Sequence, residues 1–261
     1  EITSKITAAL KLQLGGEQIV PSAELLTSNA EAYQMYLQGR QLWRQRGAAS
    51  LRESIRLFRA AVELDPGFHR AWSNMAVAYF NLPDYDQSYS ENEGHKRGLE
   101  AAEKALAIYP QSTEALLIKA NNQQLSCNLA EAARLFEAAI ASNPADPTAH
   151  HWYAILLLAV GQPNQGLEHI QIAKRIDPLI SAVIGVEGSA YEALGNYTKA
   201  DQLHRQSAAL GMRGGSLHHA GMSYLYAGEY EKGIALLNFA WAGETPDQTV
   251  TRELFLQALE N

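Results

Sequence analysis

The 261-residue sequence contains a single cysteine, Cys127. An internal disulfide is excluded, and thiolates alone cannot hold a metal. A reducing compartment is compatible with that count without being required by it. Valine is scarce while alanine, leucine and glutamine are plentiful, a balance that favours helix over sheet. No apolar run approaches the roughly 20 residues that span a bilayer, so membrane insertion is not expected. Positive charge is also short. The net charge of −7 argues against phosphate-dominated nucleic-acid binding, which needs a basic footprint. Catalytic signatures are missing too: there is no Gly-rich phosphate loop, nucleophile elbow or His-Glu-x-x-His helix. The sequence therefore leads us to expect no enzyme activity, no cofactor and no metal.

What is present is a composition able to bury a continuous core, 47% apolar and 19% charged. It is also periodic. The stretch Ser112 to Pro144 reads as helix, turn, helix and proline stop. Its second half, Asn128 to Ile140 followed by Ser142-Asn143-Pro144, returns about 34 residues later as Asn164 to Asp177-Pro178. Pro110, Pro144 and Pro178 stand 34 residues apart, whereas Pro66 and Pro110 are 44 apart. The extra ten residues fit at 82–94, as either an acidic loop carrying Tyr85 and Tyr89 or lengthened helices with a solvated tip. A chain that repeats itself in this way is a stack of helix pairs. Six repeats are expected over residues 29–243, with Asn29 capping the first helix and a turn at Gln45 to Ser50.

Two flanking segments do not fit the period. Residues 1–28 place Ile2, Ile6, Leu10 and Leu14 on one helical face before Gly15-Gly16, and read as the tail of a preceding domain or as a helix docking on the first repeat. The opening Glu1-Ile2-Thr3 lacks the basic flank of a signal peptide and implies that something precedes it. Residues 244–261 start with Thr245-Pro246-Asp247 and read as a closing helix with one wet face.

Residues Asn29 to Gly243 resemble the tetratricopeptide repeat family. The resemblance rests on the proline period and on large–large–small–large positions such as Trp72, Met75, Ala76 and Tyr79. It implies an all-α, right-handed superhelical solenoid of about six helix-turn-helix units with flanking N- and C-terminal helices. Small crossing residues agree with that fold: Ala76, Ala120, Ala154, Gly188 and Gly221 in first helices, and Ala61, Ala105, Ala139, Ala173 and Ala240 in second ones. At the front, Ile2 to Leu14 followed by Asn29 to Arg40 is similar to the junction of certain bacterial regulators. In those, a TolB-like domain precedes the repeats, and a winged-helix domain or a nucleotide cyclase lies upstream.

The family resemblance implies a concave groove lined by first helices. Helical spacing nominates Arg70, Ser73 and Asn74, then Asn121 and Gln124, then His151 and Ile155, then Ser189 and Glu192, then His218 and Met222. Side-chain amides offer donor and acceptor together, which suits an extended peptide backbone. Tyr85 and Tyr89 are candidates for contacting a basic partner. The adjacent pairs His150-His151 and His218-His219 point about 100° apart and cannot chelate alone. A metal site would need a cross-repeat partner such as His169 or His204, and no carboxylate spacing supports one. Cys127 reads as a small residue in a turn.

The expectation is a non-catalytic module that binds a protein or peptide partner, as the tail of a bacterial regulator. The alternatives are the C-terminal region of an enzyme such as a nucleotide cyclase, or a homodimerising module. The bacterial cytoplasm is the expected location, with the periplasm the alternative should a membrane helix lie upstream.

Overall fold

A computed structural model describes residues 27–45, 47–210 and 213–240, without the side chains at 213–218 and 238–240. The expected helices within 1–28 and 244–261 lie outside the described residues. Among the described residues there are twelve helices and no strand. They pair as α1 (Ala30–Gln45) with α2 (Ala48–Leu64), α3 (His69–Tyr85) with α4 (Glu91–Ile108), and α5 (Thr113–Leu125) with α6 (Leu129–Ser142). Then come α7 (Pro147–Ala159) with α8 (Pro163–Ile176), α9 (Ser181–Ala193) with α10 (Tyr197–Ala209), and α11 (Arg213–Tyr226) with α12 (Tyr230–Ala240). One compact unit ends at Tyr109 and a second begins at Pro110.

The proline period has a local cause. The residue before a proline is pushed out of the α region. Asp65, Tyr109, Asn143 and Asp177 accordingly have φ near −140° and ψ near 90–100°, and each ends a second helix. Each still donates its backbone N–H to the carbonyl four residues back, on Ala61, Ala105, Ala139 and Ala173. Those four alanines have no exposed surface. Stop signal and close-packed alanine thus recur together. Helix starts are equally local. Asn29 Oδ1 accepts from the N–H of Glu31 and Ala32, and Asp146 Oδ1 accepts from Thr148 and Ala149.

Within each compact unit, tyrosines on first helices tie a repeat to the one before it. Arg59 on α2 donates to the Tyr79 hydroxyl on α3 at 2.6 Å. The Tyr153 hydroxyl on α7 donates to Glu137 on α6 at 2.8 Å. Tyr224 on α11 does the same to Asp201 on α10 at 3.2 Å. Burial supplies the larger force. Phe58 on α2 and Phe136 on α6 are fully buried, each contributing roughly 2–3 kcal/mol by area removed from water. Gly39 lets α1 approach Phe58, because a Cβ there would stand 2.7 Å from the ring.

One expectation needs correction and one is decided. The first turn is shorter than expected, since α2 already begins at Ala48, after Gly47 with φ of 99°. Of the two forms open to the insertion at 82–94, the structure has the lengthened helices. Most of it lengthens α3 and α4 to 17 and 18 residues, leaving a short turn at 86–90. Pro83 sits inside the last turn of α3, where the ladder is already ending. Gly94 packs on that ring, because a Cβ would meet Pro83 at 2.8 Å. Asp86 is held by the Arg52 guanidinium and accepts from the Ser88 hydroxyl, so the acidic tip is neutralised from α2.

Candidate functional site

The first helices touch one another directly. In the second unit α5 meets α7, α7 meets α9 and α9 meets α11, more closely than the second helices meet each other. The first-helix layer is therefore the inner one there, and its residues between the crossing points form a continuous strip.

Most of the nominated residues reach that strip. Asn121 and Gln124 on α5 are half-buried, as are His151 on α7, Ser189 and Glu192 on α9 and Met222 on α11. Ile155 on α7 is 37% exposed, an apolar group open to water. Asn121 donates one amide N–H to the Leu117 carbonyl in its own helix, which leaves the side-chain oxygen and the second N–H to offer. His218 lies outside the described side chains. In the first unit Arg70 and Asn74 are half-buried, and Asn74 donates to the Arg70 carbonyl. Ser73 is a correction. It is 1% exposed and its hydroxyl donates to the His69 carbonyl, because α3 turns this position inward. The tyrosine pair also divides: Tyr85 is 42% exposed, while Tyr89 lies under Arg52 with its hydroxyl buried. Burial raises the Tyr89 pKa.

Each adjacent histidine pair meets a histidine on a neighbouring helix, the first of them inside its own repeat. His150 Nδ1 on α7 lies 2.9 Å from His169 Nδ1 on α8, and His150 Nε2 lies 3.1 Å from the Pro144 carbonyl. With Nε2 of His150 donating to the Pro144 carbonyl, its Nδ1 is the atom that faces His169. Burial, with the neighbouring His150 second, lowers the His169 pKa. Burial alone lowers His151 to about 4. The second meeting joins the fifth repeat to the sixth. His204 on α10 and His219 on α11 stack with ring centroids 5.3 Å apart, and Glu192 on α9 brings the carboxylate that spacing did not reveal. An open pocket of about 320 Å³ adjoins them, walled by Ser189, Glu192, Tyr197, His219 and Tyr226. Glu187, also on α9, was missed as well; it is buried and paired with Lys174 on α8 at 2.5 Å.

A family profile described as tetratricopeptide repeat matches residues 36–89 and 128–179. Those two stretches, together less than half of the chain, match tetratricopeptide repeats. Solved structures share this tetratricopeptide architecture at low identity. A chain of the APC/C hetero-tetramer Cut9-Hcn1 is similar at TM-score 0.65 and 16% identity, over 85% of this chain and 46% of that one. PilW, described as a widely conserved type IV pilus biogenesis factor, is similar at TM-score 0.65 and 17% identity, over 86% and 100%. A monomeric mutant of IFIT1 solved with m7Gppp-AAAA is similar at TM-score 0.67 and 14% identity, over 82% and 51%. The chain thus spans about half of the Cut9-Hcn1 and IFIT1 chains and all of PilW. At such identities the likeness shows the fold alone. No curated protein matches the chain. No helix among the described residues is long and apolar enough to cross a membrane.

Proposed function

We propose that this chain is a non-catalytic interaction module that docks a peptide segment or partner helix on its first-helix strip. One observation carries the reading: α5, α7, α9 and α11 touch in sequence order and offer half-exposed Asn121, Gln124, Ile155, Ser189 and Glu192. Amide and hydroxyl groups bind a peptide backbone by donating and accepting at once, while Ile155 gives an apolar anchor. A preformed strip keeps the ordering cost on the partner's side. Tetratricopeptide repeats are commonly used to bind proteins, which supports the same class. The net charge of −7 speaks against a nucleic-acid backbone as the ligand.

The finer assignment is the tail of a bacterial regulatory protein, acting in the cytoplasm and following a TolB-like segment. Its support is the front-end similarity described above. Peptide-display selection on the chain tests the strip. The expected result is a family of peptides that bind the wild type and bind an Asn121→Ala/Ile155→Glu variant at least about tenfold more weakly, with the melting temperature unchanged. Peptides that bind both proteins equally remove the strip as the docking surface.

A further inference from the structure

One slot in the repeat is filled with the wrong chemistry. The second-helix position facing the crossing residue holds Phe136, then Ile170 34 residues later, and Leu237 in the last pair, all fully buried. In the fifth pair the same position holds His204, whose side chain is 1% exposed. The packing around it is conserved in kind. A Cβ at Gly188 would stand 2.7 Å from the His204 ring, as one at Gly221 would from Leu237. Yet among the described residues neither ring nitrogen of His204 has a hydrogen-bond partner, and neither does the buried Glu192 Oε2. Leaving such groups unsatisfied costs about 1–3 kcal/mol each, so the fold alone favours leucine here. A ligand between these atoms would remove that cost.

The atoms converge on one point. Glu192 Oε2 lies 3.4 Å from His204 Nε2 and 4.0 Å from His219 Nδ1, and one donor atom from each of the three residues lies within 4.8 Å of the others. Bonds of about 2 Å at tetrahedral angles put donor atoms roughly 3.4 Å apart, so small side-chain adjustments close the set. Two imidazoles and one carboxylate suit a borderline divalent transition ion, whereas calcium and magnesium need an all-oxygen shell. We propose that Glu192, His204 and His219 bind a divalent transition-metal ion of the zinc class. The three residues come from α9, α10 and α11, so the ion staples the fifth repeat to the sixth. The pocket beside Glu192 and His219 leaves a coordination position open to water or to an incoming donor group. This inference does not depend on the peptide-binding reading.

The test is titration of the metal-free chain with Zn2+ by calorimetry, with Co2+ as a visible-absorption probe. The wild type should bind one ion per chain and melt at a higher temperature with it. Glu192→Gln and His219→Ala should each weaken Zn2+ at least about tenfold, since loss of even an outer-sphere partner costs that much. His95→Ala, in the other unit, should not. His204→Leu restores the apolar slot. It should abolish the Zn2+ shift while melting no lower than the metal-free wild type. Absence of saturable binding overturns the proposal. So does a Zn2+ shift that survives in His204→Leu or in both other variants, and loss in only one of those two overturns the three-ligand assignment.

Discussion

Cys127 occupies the backbone position that Gly161 holds one repeat later. Its φ is 58°, against 75° at Gly161, 76° at Gly195 and 79° at Gly228. All four reverse the chain between the two helices of a repeat. The left-handed region is open to glycine and costs other residues roughly 1 kcal/mol or more. Cys127→Gly should therefore stabilise the chain by roughly 0.5–1 kcal/mol, the unfolded-state entropy of glycine taking back part of the gain. Chemical denaturation measures it, and a lower midpoint with an unchanged slope refutes it.

Gly39 is fixed by packing instead. Its helix contact with the buried Phe58 leaves no room, as the 2.7 Å approach of a built Cβ shows. Gly39→Val should destabilise by about 2 kcal/mol, more than any gain in helix propensity returns. An unchanged thermal midpoint would show that Phe58 can move aside.

The Lys174–Glu187 pair joins α8 to α9 with Glu187 buried and Lys174 one-third exposed. Lys174→Met strands a buried carboxylate and should cost roughly 2 kcal/mol, discounted for the exposure of the lysine. The Lys174→Met/Glu187→Leu double variant should recover most of that loss. A double-mutant cycle without coupling would assign the single-variant effect to packing.

Acid should loosen the α7 region before carboxylates titrate. Burial lowers the His151 pKa from 6.5 to about 4, so the folded chain holds a neutral imidazole where the unfolded chain binds a proton. The contribution is fully present above pH 6.5 and is lost as pH falls from there toward 4, on the order of 3 kcal/mol. Burial shifts His169 and His69 the same way. Melting curves across that window should fall for the wild type and fall less for His151→Gln. Parallel curves would place the acid sensitivity elsewhere.

Much of the fold was legible because its signals are local. A proline fixes where the preceding residue can go, so Pro66, Pro110, Pro144 and Pro178 mark helix ends without reference to anything distant. Asn29 and Asp146 cap the chain next to themselves. The insertion was located, but its form was left open between a loop and longer helices. Whether ten extra residues loop out or lengthen two helices depends on a surface to pack against, here Gly94 on Pro83 and Arg52 on Asp86.

The amino-acid order by itself determined the 34-residue period, the caps, the turns and the small residues at the crossings, since each acts within one or two helical turns. Only tertiary structure decided that Ser73 faces inward, that His150 meets His169, and that Glu192, His204 and His219 share one point. Helical spacing tells which side chains share a face, but not which atoms of a neighbouring helix that face will meet. That last choice is made by the packing of α9, α10 and α11 on one another, where a gap at Gly188 admits the His204 ring.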